Sequence, residues 1–128
     1  MGKAREYKEL RAIHYLRRDI AYNTAGIATG VLVGTIPNGA IPTRVRLVIS
    51  TGFNDSGTDT LSVGHGASYN EYFNAQDASS ATVVDSTITN LVEVTADKDI
   101  YVKYAGQNSN ASAGAATVIV EYTIDNDQ

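Results

Sequence analysis

Residues 29–64, TGVLVGTIPNGAIPTRVRLVISTGFNDSGTDTLSVG, read as three strands joined by two tight turns with almost nothing to spare. The first run, 31–36, is apolar on both faces, as expected of a strand buried inside a sandwich. Pro37-Asn38-Gly39 supplies a turn. Proline presets φ at the first central position, and Asn or Gly accepts a left-handed φ after it. Residues 44–50 then alternate, with Val45, Leu47 and Ile49 on one face and Arg44, Arg46, Val48 and Ser50 on the other. Asn54-Asp55-Ser56-Gly57 turns the chain again as a hairpin, and Thr60-Leu61-Ser62-Val63 leaves with the same two-residue period.

The same pattern continues outward. Towards the start, 14–22 alternates His14, Leu16, Arg18 and Ile20 with Tyr15, Arg17, Asp19 and Ala21, which predicts a first strand before a turn-rich break at 23–26. Towards the end, 65–81 is the least regular part, polar but holding Tyr69, Tyr72 and Phe73. A connection that long in a compact domain is functional or carries structure of its own, so a short strand is expected near 71–73. Further strands are expected at 82–89, 91–95 and 100–104, with a turn at Asp97-Lys98-Asp99 between the last two. Residues 107–114, QNSNASAG, read as a flexible hairpin tip. The last strand is 117–124, with Val118, Val120, Tyr122 and Ile124 facing inward. Eight or nine short strands with no long helix in the body predict an all-β fold, an antiparallel β-sandwich of the jelly-roll type.

At 128 residues the chain has room for one domain able to bury a core of its own. It has no cysteine, which removes disulfides, thiolate chemistry and Cys-ligated metal, and fits folding in a cytosol. No apolar run approaches the roughly 20 residues that span a bilayer. No apolar block follows the basic start, so no signal peptide and no membrane partner are expected. The net charge of −4 is unevenly spread. Residues 1–20 hold six of the ten bases and three of the fourteen acids; the remainder is strongly acidic. A basic arm (1–22) on an acidic body (23–128) is therefore the expected organisation. Phosphate binding rewards dense, unopposed Lys and Arg, and Glu6, Glu9 and Asp19 among the bases argue against nucleic acid as the partner.

Catalytic constellations are hard to build here. His14 lies in the basic segment and His65 between two glycines, where it is poorly held for triad work with Ser62. Asp55 and Asp59 in NDSGTDT resemble the opening of a calcium loop, but the required glycine position is Thr60 and the closing Glu position is Gly66. Asn54 and Asp55 read instead as caps of a hairpin through side-chain-to-backbone bonds. With no enzyme, cofactor or metal indicated, the remaining small-molecule option is glycan binding through Tyr69, Tyr72 and Phe73 in the long loop.

The arm is the more informative candidate. Tyr7, Leu10 and Ile13 recur every third residue among good helix formers, so the segment is extended or partly helical. Amphipathic rings and arginines are what buried interface patches collect. Tyr7, Leu10, Ile13, Tyr15 and Leu16 are candidate apolar anchors on a partner, and Lys3, Arg5, Lys8, Arg11, Arg17 and Arg18 are candidate contacts with acidic patches.

Three stretches carry a family likeness: G-T-I-P-N-G-A-I at 34–41, F-N-D-S-G-T-D-T-L-S-V-G at 53–64, and A-T-V-I-V-E-Y at 116–122. Their order resembles small structural proteins of tailed bacteriophages. The resemblance implies a jelly-roll virion protein, a cement or decoration protein on the capsid surface, made in the host cytoplasm. It also implies binding to the major capsid protein, with bridging of its subunits. A closed homo-oligomer, dimer or trimer, is the default for such an ornament. The alternatives are a tail or head–tail junction component, and a glycan-binding attachment module.

Overall fold

The computed structural model describes residues 13–86 and 94–124. The helical periodicity expected over 1–13 therefore falls almost wholly outside the described residues, as do Lys3, Arg5, Tyr7, Lys8, Leu10 and Arg11. Eight strands follow in order: β1 (Ile13–Ala21), β2 (Val31–Ile36), β3 (Ala40–Thr51), β4 (Asp59–Gly64), β5 (Phe73–Asp77), β6 (Thr82–Asp85), β7 (Lys98–Gly106) and β8 (Ala115–Ile124). No helix among the described residues is long and apolar enough to cross a membrane.

The strands form two four-stranded sheets, ordered β1-β8-β3-β6 and β2-β7-β4-β5. Pairing is nested: β4 with β5, β3 with β6, β2 with β7 and β1 with β8, all antiparallel. A long hairpin rolled up in this way is the jelly roll, so the expected all-β sandwich is observed. The core lies between the sheets, where Val45, Leu47, Ile49, Val118 and Val120 of one face Leu61, Val63, Ile100 and Val102 of the other. β8 alternates buried and half-buried residues over its first eight positions because β3 and β1 flank it and the second sheet covers it.

Several expectations are corrected. β3 and β4 belong to opposite sheets, so the 52–58 connection crosses between layers and 53–64 is not a hairpin. The same holds for β7 and β8, and the 107–114 connection is tied down by hydrogen bonds rather than being a free tip. β2 is not buried on both faces: Leu32 is 44% exposed, because β2 is an outer strand and turns its alternate residues to solvent. Pro37 stands one place earlier in its turn than expected, with its carbonyl accepting from Ala40 N–H at 3.1 Å and Gly39 taking the left-handed φ of 92°. The strand expected near 71–73 is β5, starting at Phe73. Lys98 opens β7 instead of forming a turn, since Asp97 and Asp99 reach across to Asn38 N–H and the Thr35 hydroxyl. The expected strand 82–89 is β6 over Thr82–Asp85; residues 87–93, which include most of the 91–95 strand, lie outside the described residues.

Two glycines have a packing reason. A Cβ on Gly34 would stand 2.9 Å from Leu16 Cδ2, so the first glycine of the 34–41 motif makes the notch that seats β1 on β2. Gly114, at φ 149°, leaves room for the Phe53 ring, which a Cβ would meet at 2.4 Å.

Candidate partner-binding surface

Alternation sorts β1 into two rows. Ile13, Tyr15, Arg17 and Asp19 point away from the core, while His14, Leu16, Arg18 and Ile20 share the register of the buried β8 residues. Only Ile20 is buried; Leu16 is half-buried in the Gly34 notch, and Ile13 and Tyr15 are 53% and 60% exposed. Five of the candidate residues, Ile13, Tyr15, Leu16, Arg17 and Arg18, thus lie on a strand of the sandwich's own sheet. Leu16 is turned inward, over Gly34. His14 stacks on Tyr122 at 5.3 Å, which holds the start of the strand against β8.

The outward row continues across the sheet in rungs. Tyr15 faces Glu121, which faces Arg44. Arg17 faces Ile119, which faces Arg46, which faces Asp85. Arg46 donates to both Asp85 oxygens, Nε at 2.7 Å and Nη2 at 3.0 Å. That fork holds the Asp85 carboxyl below its usual range, although partial burial pushes the other way. Arg17 to Asp19, at 3.4 Å between exposed groups, is weak and leaves the Arg17 charge available. Tyr15, Arg44, Arg46, Ile119 and Glu121 surround a depression of ≈ 200 Å³, which is room for one or two side chains and not for a cofactor. The patch combines a ring, an aliphatic floor and arginines, the composition of interface centres. Arg44 and Arg46 were legible as outward-facing from their spacing, but nothing local in the sequence joined them to Tyr15 and Arg17 through Glu121 and Ile119.

The other candidate features resolve differently. Asp55 is buried, and its carboxylate accepts backbone N–H bonds from Gly57 at 2.7 Å and from Asn108 and Asn110 at 3.0 Å. Burial pushes its pKa up, and these bonds outweigh it and hold the pKa below the usual 3.8. Asn54 likewise accepts from Ser112 and Ala113 N–H. These residues do cap backbone, as expected, but mostly that of the β7–β8 connection some fifty residues away. Asp59, also buried, accepts from the Asp55 N–H and the Tyr104 hydroxyl, and burial together with Asp59 pushes the Tyr104 phenol far up. Among the described residues no three metal-ligating side chains gather at one point.

The glycan platform expected from Tyr69, Tyr72 and Phe73 is not assembled. Phe73 is core, Tyr72 is half-buried and meets His65 edge-on at 5.9 Å, and Tyr69 stacks on Tyr101 at 4.6 Å. The loop splits the three because Phe73 already belongs to β5. A cavity of ≈ 430 Å³ opens between the β1–β2 connection and β7, lined by Tyr22, Ile27, Lys103, Tyr104, Ser109 and Ala111 among others.

No protein-family model and no curated protein matches the chain. Solved structures do. A chain of the cyanophage Pam1 capsid asymmetric unit superposes with a TM-score of 0.70 at 25% identity, over 89% of this chain and 86% of that one. A chain of the acid-stable capsid of the Helicobacter pylori bacteriophage KHP30 gives 0.69 at 17% identity, over 90% of both. A chain of the capsid of Ralstonia phage GP4 gives 0.65 at 20% identity, over 91% and 86%. The last two likenesses are of fold; the first supports a viral structural role.

Proposed function

We propose that this chain is a cement or decoration protein of a bacteriophage virion, which binds the outside of the capsid and bridges subunits of the major capsid protein. The observation that carries the reading is the near full-length likeness to a chain of the cyanophage Pam1 capsid asymmetric unit. The physical argument adds a division of labour. The sandwich of β1–β8 supplies a rigid body, and the basic segment 1–22, which includes its outer strand β1, supplies grip. Within it, β1 holds Tyr15 and Arg17 at the rim of the sheet, on the same face as Arg44 and Arg46, and Arg18 exposed in the other row. A capsid surface bearing carboxylates would meet those arginines, and Tyr15 supplies rigid apolar area at low entropic cost. We further propose a closed dimer or trimer on the virion surface.

The test is co-sedimentation of the full chain with purified shells stripped of minor proteins. Saturable binding that raises the temperature at which shells release their contents is the expected result. Binding only to purified tails or to the portal ring would move the protein to the tail or head–tail junction. Absence of binding to any virion part would overturn the proposal.

A further inference from the structure

We propose that the edge of β1, unpaired among the described residues, docks an extended, acid-bearing segment of a partner protein, which joins the β1-β8-β3-β6 sheet as a further strand with a carboxylate opposite Arg18. This rests on the reading of segment 1–22 as the grip and specifies how it grips.

Among the described residues the two sheets end in four outer strands, β1, β6, β2 and β5. Three are poor templates over the residues described. β2 has six residues and a register shift between Leu32 and Gly34; β5 has five, with an irregular register and Ala75 at φ 57°; β6 has four. β1 is the exception. All nine of its residues keep register with β8, from Ile13 opposite Thr123 to Ala21 opposite Ala115, with no bulge and no proline. A long regular edge presents unpaired N–H and C=O groups that another strand can complete.

What distinguishes the edge is where its charge stands. Arg18 occupies the core-facing register, opposite the fully buried Val118, with Leu16 and Ile20 two residues to either side, yet its side chain is exposed. An arginine in that register also disfavours some pairings with a second copy of β1. Paired antiparallel with core faces aligned, full overlap would oppose Arg17 to Arg17 and a two-residue slip in one direction would oppose Arg18 to Arg18, and like charges directly opposite are destabilising. The complement is a strand with an aspartate or glutamate at its centre and apolar β-formers two places before and after, facing Leu16 and Ile20. The backbone bonds would give affinity and the Arg18–carboxylate fork would give register.

The experiment titrates the full chain with two synthetic peptides, Thr-Val-Thr-Glu-Thr-Val-Thr and the same sequence with a central lysine. Binding is read by fluorescence anisotropy and by amide hydrogen exchange at residues 13–21. The glutamate peptide should bind about tenfold tighter than the lysine peptide and slow exchange along β1; Arg18→Glu should invert the order. Equal binding of both peptides, protection elsewhere than β1, or an order unchanged in Arg18→Glu overturns the proposal. So does a dimer formed without peptide that protects β1. Arg18→Gln, which keeps the stem without the charge, should bind both peptides alike. Shell co-sedimentation of the same variants separates the two ideas. Shells bound equally by wild type and Arg18→Glu sink strand addition and spare the cement reading; peptide inversion without shell binding does the reverse.

Discussion

β1 and β8 lie side by side, hydrogen-bonded residue for residue, and differ in almost everything else. β8 buries Ala116, Val118, Val120 and Tyr122. β1 buries only Ile20 and leaves six of its nine residues exposed. The backbone partnership is shared, so it is not what makes one strand core and the other rim. Pairing positions a strand; burial of side chains stabilises it. The contrast teaches that a rim strand is free to carry residues chosen for contact with something else, at little cost to the fold.

Substitutions can break or sharpen that contrast. The largest effect belongs to Val120→Asp, since Val120 is fully buried between Leu16 and Val45. An unpaired carboxylate there should cost more than about 4 kcal/mol and leave no cooperative thermal transition. Asp55→Ala should come next, because it removes the acceptor for Gly57, Asn108 and Asn110 N–H on the connection that delivers β8. Its pH dependence has a defined sign. The folded pKa of Asp55 lies below 3.8, so its contribution is fully present above that value and is lost as pH falls through the folded one. The gap in melting temperature between wild type and Asp55→Ala should therefore be full at neutral pH and close in strong acid; a gap independent of pH would refute the assignment.

On β1 the effects shrink. Leu16→Ala and Gly34→Ala each act on the notch between β1 and β2 and should cost about 1–2 kcal/mol in chemical denaturation. The double variant should be more stable than the sum of the two, because the added methyl occupies the space the leucine leaves. Strict additivity would mean that the two groups do not touch. Smallest of all, Tyr15→Ala and Arg17→Ala should change stability by no more than about 0.5 kcal/mol while weakening attachment to shells. A stability loss as large as that of Leu16→Ala would place Tyr15 with the core and count against the rim as a grip.

The strands themselves were legible because alternation is local: Val45, Leu47 and Ile49 announce an inward row whatever surrounds them. Which sheet each strand enters was not, since that depends on neighbours far along the chain. The 53–64 stretch has every local mark of a hairpin, yet the 52–58 connection crosses between layers. Residues 107–114 looked loose from their Asn, Ser and Gly content, while the group that orders them, Asp55, sits some fifty residues earlier. The candidate surface was half legible for the same reason. Arg17, Arg44 and Arg46 were each outward by parity, but only the register of β1, β8 and β3 brings them onto one face.

The nesting of the pairs has a consequence for synthesis. β4 and β5 are neighbours in sequence, whereas β1 pairs with the last strand to be made. On a ribosome, residues 13–21 wait without a mate until β8 has emerged, the longest wait of any strand among the described residues. Slow closure of distant contacts is when nascent chains find one another. Arg17, Arg18 and Asp19 at the middle of that waiting segment keep it dissolved and separate until β8 arrives.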